Sequence, residues 1–294
     1  MAVDLHVHST ASDGRYSPEA LVRLASERNV KTIAVTDHDT VAGVKEALSA
    51  GAELGIRVIP GVELSSDSEE AEVHILGYHI DTSSSAFLET LHMLREGRMA
   101  RAELILRKLG RLGIHIPMSH VVNLGKGGVV GRSQIFRAMV DLGYARPERR
   151  YGDFEKYLGK EGLAYVEHYG LTPTEAVRLV RTAGGVPVLA HPGRCAGETL
   201  LGDLVRAGLE GVEAYYPTHN HELTRRWLEI AERRGLVVTG GSDFHGVAPD
   251  EPAVLGGVRA PDWIVDALEE RWRKLRASAV RPDGGNGPDV SKTS

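Results

Sequence analysis

The chain has 294 residues, 42% hydrophobic and 26% charged, enough for one large α/β domain or for a core with an inserted subdomain. Its formal net charge of -5 argues against broad coating of DNA or RNA, and no run of about 18 apolar residues marks a membrane span. A single cysteine, Cys195, excludes an intramolecular disulfide, and the start Met1-Ala2-Val3-Asp4 has no basic-then-apolar leader, so a cytoplasmic protein is expected.

In Asp4-Leu5-His6-Val7-His8-Ser9, apolar and polar residues alternate as in a β-strand, which projects two imidazoles from one face. Ser17 and Pro18 open a helix as N-cap and first residue. Lys31 to Thr36 is a β-branched strand ending in Asp37-His38-Asp39, after which Thr40 is expected to cap a second helix. Ile56 to Leu64 and Glu72 to Ile80 read as strands delivering Glu63 and His74. This rhythm predicts βα units and a largely parallel sheet or barrel.

From about residue 84 to 165 the rhythm breaks. Phe87 to Leu112 is a long helical pattern carrying Arg95, Arg98, Arg101, Arg107 and Arg111, most of which read as a solvated face. Helices near Ser119 to Leu124, Arg132 to Leu142 and Pro147 to Leu158 complete a helical insertion positioned to cap the strand ends. Alternation resumes with the capping box Thr172-Pro173-Thr174-Glu175 and the strands Val186 to Ala190, Gly211 to Tyr215 and Leu236 to Thr239, followed by a helix over Pro261 to Arg276. Residues 1–83 and 166–279 are thus expected to form the core, 84–165 the insertion and 280–294 a disordered tail.

His6, His8, Asp13, His38, Glu63, His74, His191, Asp243 and His245 all fall at or just beyond the C-terminal ends of these strands. In a βα barrel those ends open on one face. A single ion takes three or four protein ligands, so nine imply two or three ions, a cluster suited to phosphoryl chemistry.

The motifs Asp4-Leu5-His6-Val7-His8-Ser9, Thr36-Asp37-His38-Asp39, Gly61-Val62-Glu63, Ala190-His191-Pro192 and Gly241-Ser242-Asp243-Phe244-His245 resemble the polymerase and histidinol phosphatase (PHP) family. The resemblance covers about residues 3–250 and implies an α/β fold, a distorted (β/α)7 TIM-like barrel with a helical insertion, around three divalent metal ions. It assigns His6, His8, Glu63 and Asp243 to one ion, Glu63 with His74 and His191 to a second, and Asp13, His38 and His245 to a third. The metal it favours is Mn²⁺, with Zn²⁺ and Fe²⁺ compatible with the same donors.

Glu72-Val73-His74-Ile75-Leu76-Gly77-Tyr78, Gly131-Arg132-Ser133-Gln134 and His191-Pro192-Gly193-Arg194 further resemble enzymes that remove the 3′-phosphate of nucleoside 3′,5′-bisphosphates, some of which trim short RNA from the 5′ end. Gln134 departs from the His of many relatives. The resemblance implies a small phosphorylated nucleotide or short RNA as partner. The guanidinium chemistry of Arg132 and Arg194 and the place of His219 just beyond a strand end make these three the expected substrate-binding residues, and catalytic roles are expected of His191, Arg194 and His219. The rival readings are a histidinol-phosphatase-like or other small-molecule hydrolase on the same centre, and a non-catalytic metal- or RNA-binding module. Asp37 and Asp39 either orient imidazoles or cap the following helix, and Lys126 among Gly125, Gly127 and Gly128 weakly resembles an anion-binding loop. His79 is read as structural, and Cys195 as a packed thiol.

Overall fold

The structure, a computed structural model, describes residues 2–68, 72–124, 130–146, 150–167, 170–195, 197–246 and 254–279. The Lys126 loop and the tail from residue 280 lie outside the described residues. The fold is mixed α/β, built on a seven-stranded sheet in the order β1 to β7. The strands are β1 (Ala2–Val7), β2 (Val30–Val35), β3 (Arg57–Asp67), β4 (Glu72–Tyr78), β5 (Val186–Leu189), β6 (Gly211–Tyr215) and β7 (Val237–Gly240). The first and last strands approach each other just past their ends, where His8 N–H donates to Phe244 O (3.0 Å) and Asp243 N–H to His6 O (2.8 Å).

Local signals account for most helix starts. Ser17 Oγ accepts from Ala20 N–H at the head of α1 (Pro18–Glu27), and Thr172 and Glu175 form a reciprocal capping box at the head of α7 (Pro173–Thr182). Thr40 is a correction. α2 runs over Val44–Leu54 with Gly43 at its N-cap, while Thr40 Oγ1 accepts from Ala42 N–H and from Arg95.

The sheet is largely parallel as expected, with an exception at β4 that corrects the placing of His74 at a C-terminal strand end. β1–β2, β2–β3, β5–β6 and β6–β7 pair in parallel, but β4 is antiparallel to both β3 and β5. The physical reason is the connection: the four residues between Asp67 and Glu72 permit a hairpin, whereas a parallel return needs a crossover of a dozen or more. His74 therefore lies near the N-terminal end of its strand, and the reversal brings that end to the rim formed by the C-terminal ends of the other strands.

The insertion comprises α3 (Ser85–Arg111), α4 (Met118–Leu124), α5 (Arg132–Asp141) and α6 (Arg150–Leu158). Phe87 and Leu91, in the first half of α3, join the main core with Val62, Ile75 and Val188. Its second half supplies Ala102, Ile105 and Leu109 to a separate cluster with Ile135, Met139 and Leu158. α8 (Gly197–Ala207), α9 (His221–Arg234) and α10 (Trp263–Ala279) complete the described helices.

Candidate metal centre

Glu63, in the middle of β3 and 1% exposed, is the hub of the rim. Its Oε2 lies 3.2 Å from His6 Nε2, 3.3 Å from His8 Nε2 and 3.2 Å from His38 Nδ1. Its Oε1 lies 2.7 Å from His74 Nδ1 and 3.1 Å from His191 Nε2. Asp243 Oδ1 stands 3.1 Å from His8 Nε2 and 3.4 Å from His6 Nε2, and Asp13 Oδ1 3.3 Å from His245 Nε2. All nine side chains singled out in the sequence are thus brought together.

Donor atoms gather within 4.8 Å of one another in three groups: His6, His8, Glu63 and Asp243; His8, Asp13, His38 and His245; and His38, Glu63 and His74. The first matches the expected set. The second is the expected Asp13, His38 and His245 with His8 added, the third has His38 where His191 was expected, and His191 meets the pocket through Glu63 rather than through a group of its own.

The backbone is bent to achieve this. His191 (φ 28°), Asp243 (φ 55°) and Asp39 (φ 48°) have positive φ, uncommon for residues other than glycine although Asp and His adopt it more readily than most. Gly241 is required because a Cβ there would stand 2.4 Å from His6 N, where β1 meets the segment after β7.

Electrostatically the pocket is a buried anion cluster. Burial disfavours every charge here, yet facing imidazoles hold Glu63, Asp13 and Asp243 well below the usual carboxylate range. In return, against their own burial, His8 is pushed up to about 10 by Asp243 and Glu63, and His74 to about 10 by Glu63 and Glu72. For His38 burial prevails, to about 4.

His6 Nε2, both nitrogens of His8, His38 Nδ1, His191 Nδ1 and Glu63 Oε2 are buried and make no hydrogen bond. Orphaned buried polar atoms are rare and costly, and here they border one small space lined by imidazole and carboxylate. Divalent cations would satisfy them, so the donor set fits metal.

Several residues given no role from the sequence hold this set in place. Glu213, fully buried in β6, takes His6 Nδ1 at 3.0 Å and His191 N–H at 2.8 Å, which leaves His6 Nε2 facing the pocket. Its one sequence signal is a lone carboxylate inside an apolar strand. Tyr216 O–H donates to Asp243 Oδ2 at 2.8 Å, and Asp4 accepts from Ser242 N–H (2.8 Å) and Oγ–H (2.6 Å). Gln134 Nε2–H donates to Asp13 Oδ2 at 3.3 Å, so this side chain touches the pocket.

Asp37 and Asp39 do neither of the two jobs expected of them. Asp37 accepts from Ser9 N–H, Ser9 Oγ–H and Ser12 Oγ–H, folding the loop after β1. Asp39 accepts from Ser65 N–H and meets Arg98 Nε at 2.5 Å. With Arg95 on Thr40 and Arg101 Nε donating to Val166 O (2.9 Å), three of the α3 arginines point inward rather than into solvent.

Arg194 is at the rim with its side chain 57% exposed, donating to Tyr216 Oη (2.8 Å) and 3.6 Å from Asp243 Oδ2. Arg132 pairs with Glu72, which also faces His74 Nε2 at 3.4 Å. His219 differs from its expected role: Nδ1–H donates to Ala214 O (3.0 Å) and Nε2 accepts from Gly193 N–H (3.2 Å), so both ring nitrogens are occupied by backbone. Cys195 is half-buried, with Sγ 3.9 Å from Pro192 O.

The family model described as PHP domain matches residues 4–122. Phosphoribosyl 1,2-cyclic phosphate 1,2-diphosphodiesterase of Eggerthella lenta is 36% identical over 89% of this chain and 100% of its own length. The 3′,5′-nucleoside bisphosphate phosphatase of Chromobacterium violaceum is 35% identical over 95% of this chain and 98% of its own, and the 5′-3′ exoribonuclease Rnm of Salmonella typhimurium 34% identical over 84% and 86%. A metal-dependent phosphoesterase structure from Bifidobacterium adolescentis superposes with a TM-score of 0.82 at 29% identity, covering 92% of this chain and 96% of that one. With relatives this similar along their whole length, and with a pocket whose donors fit divalent ions, the chain belongs to the PHP family of metal-dependent phosphoesterases.

Proposed function

We propose that this enzyme hydrolyses the 3′-phosphate of nucleoside 3′,5′-bisphosphates, such as adenosine 3′,5′-bisphosphate to AMP, using three Mn²⁺ ions held by His6, His8, Asp13, His38, Glu63, His74, His191, Asp243 and His245. The observation that carries this reading is the pair of arginines flanking the pocket. Arg194 stands beside Asp243 on one side, and Arg132 beside Glu72 and His74 on the other. A substrate with two phosphates needs a cation beyond the centre that works on the first, and guanidinium binds phosphate oxygens in parallel pairs. The similar bisphosphate phosphatase supports the same substrate class.

When bound, clustered divalent ions neutralise phosphate oxygens and bring the pKa of water towards neutrality. The chain's own residues do the remaining work. Glu63 spans the pocket with both oxygens, Glu213 fixes the tautomer of His6, and Arg194, tethered by Tyr216, faces the equatorial oxygens of the reacting phosphate. His219 holds the Gly193 amide and so positions the turn that carries Arg194. Residues 84–165, as an inserted subdomain, cover the pocket through Arg95, Arg98 and Arg132.

A second reading has its own support. The relative acting on phosphoribosyl 1,2-cyclic phosphate is as similar over its whole length, so a five-membered cyclic phosphodiester is the competing substrate. The test is hydrolysis with Mn²⁺ added and then chelated, read as inorganic phosphate for adenosine 3′,5′-bisphosphate, 5′-AMP and histidinol phosphate, and as the ring-opened monoester or the released mononucleotide for a ribose cyclic phosphate and a 5′-phosphorylated short RNA. Mn²⁺-dependent turnover of the bisphosphate at least ~10-fold above the others in kcat/KM, about 1.4 kcal/mol, is expected. Preference for the cyclic ester would replace the bisphosphate reading.

A further inference from the structure

Away from the metal pocket, α3 and the segment after α6 enclose a groove of about 480 Å³ lined by Leu104, Arg107, Lys108, Arg111, Tyr165 and Val166, with Glu167 at its margin. Leu104, Arg107, Lys108 and Arg111 follow the i, i+3, i+4, i+7 spacing of a single helix face, so the sequence itself builds a cationic wall there. Lys108 donates to Tyr165 O at 2.5 Å, which ties the wall to the opposite side of the groove. Arg107 and Arg111 are exposed and meet no carboxylate among the described residues. On a protein of net charge -5, three cations against one carboxylate in one groove is a local reversal of sign.

A chain of side-chain interactions links the groove to the candidate centre. His74 meets Glu72, Glu72 pairs with Arg132, and Arg101 interacts with the charges of Arg132 and Glu72 while lying over the Tyr165 ring at 5.7 Å. Between Arg98, beside Asp39, and Lys108, α3 rises about 15 Å, the length of roughly four stacked nucleotides at ~3.4 Å each. A row of cations with an aromatic ring is the combination that binds single strands without regard to sequence, backbone on the charges and base on the ring.

We propose that Arg107, Lys108, Arg111 and Tyr165 form a distal subsite for single-stranded RNA, gripping the strand a few nucleotides 3′ of the phosphorylated end held at the metal centre. This rests on the reading that the centre accepts phosphorylated nucleotides. A bisphosphate is too short to reach the groove, whereas an oligonucleotide spans both.

The test uses the full chain with Mn²⁺ and hydrolysis-resistant, 5′-phosphorylated RNAs of two and ten nucleotides, with affinity read by fluorescence anisotropy across a salt series. The ten-nucleotide strand should bind at least ~10-fold tighter than the two-nucleotide one, and R107E with R111E should remove that advantage. R107A with R111A should lower the salt slope by about 1.4, or ~0.7 for each lost phosphate contact, while kcat/KM for adenosine 3′,5′-bisphosphate stays within about twofold of wild type. Equal affinity for both lengths, an unchanged long-strand affinity in the variants, or equally effective displacement of RNA by polyglutamate would overturn the subsite. Groove-dependent, length-dependent binding by a protein that fails to hydrolyse the bisphosphate would leave the subsite standing and remove the phosphatase reading instead.

Discussion

His74 and His79 stand five residues apart on and just beyond β4, at opposite ends of the same strand and in opposite electrostatic surroundings. At the rim, Glu63 and Glu72 overcome burial and push His74 up to about 10. At the other end burial pulls His79 down to about 4, helped by Arg57 and Arg273 and opposed only by Glu269. There His79 takes a left-handed φ of 56° and stacks on Trp272 at 4.6 Å. Residue type is the same and strand is the same. What differs is whether carboxylates converge, so one end of the sheet becomes a cation-demanding pocket and at the other a neutral ring stacks on Trp272 among arginines.

If converging carboxylates create the pocket, removing the central one should have the largest effect. Glu63→Gln keeps shape but discards the charge shared by five imidazoles. Phosphoesterase turnover should drop about 10³-fold or more, ~4 kcal/mol of transition-state stabilisation, measured as phosphate release under saturating Mn²⁺. A loss below tenfold would mean that Glu63 is not the hub.

Glu213→Gln tests the layer behind, because it touches His6 and the His191 amide but none of the orphaned atoms. A fall of about 10- to 100-fold in Mn²⁺ affinity is expected, read by metal titration, since outer partners of ligating histidines act at that scale. Unchanged affinity would reduce Glu213 to a packing role.

Protonation sharpens the contrast further. His8 and His74 rise from 6.5 to about 10 on folding, so in the metal-free chain they contribute stability that is fully present below pH 6.5 and is lost as pH climbs through about 10. Urea midpoints in chelator should therefore fall between about pH 6 and about pH 9.5, and bound Mn²⁺, which replaces those protons, should flatten the slope. Identical slopes with and without metal would contradict the picture of protons standing in for cations.

At the far end the effect should be smallest. His79→Ala removes a ring stack and should reduce stability by about 0.5–1.5 kcal/mol, leaving turnover within about twofold. A large loss of activity would show that the two ends communicate.

Local chemistry made much of this legible. Imidazoles and carboxylates are expensive at buried strand ends, so a run such as His6-Val7-His8 or Ser242-Asp243-Phe244-His245 advertises a site without any structure. Capping likewise obeys neighbours three residues apart, which is why Ser17 and Thr172 mark helix starts correctly. Thr40 failed because its hydroxyl was taken by Ala42 N–H and Arg95, a residue 55 positions away.

The sequence by itself thus determined the strand-end donors, the βα alternation and the helical interruption, because periodicity, caps and metal-ligand chemistry are short-range properties of the chain. The short connection from β3 to β4 also carried the direction of β4, which returns His74 to the rim, whereas only the tertiary structure decided the partners Glu213 for His6 and Arg98 for Asp39. Those contacts join residues 207 positions apart in the first case and on different subdomain elements in the second. Long-range pairing leaves no local periodic signature, since it is set by which buried surfaces and charges can be satisfied together once the chain has closed on itself.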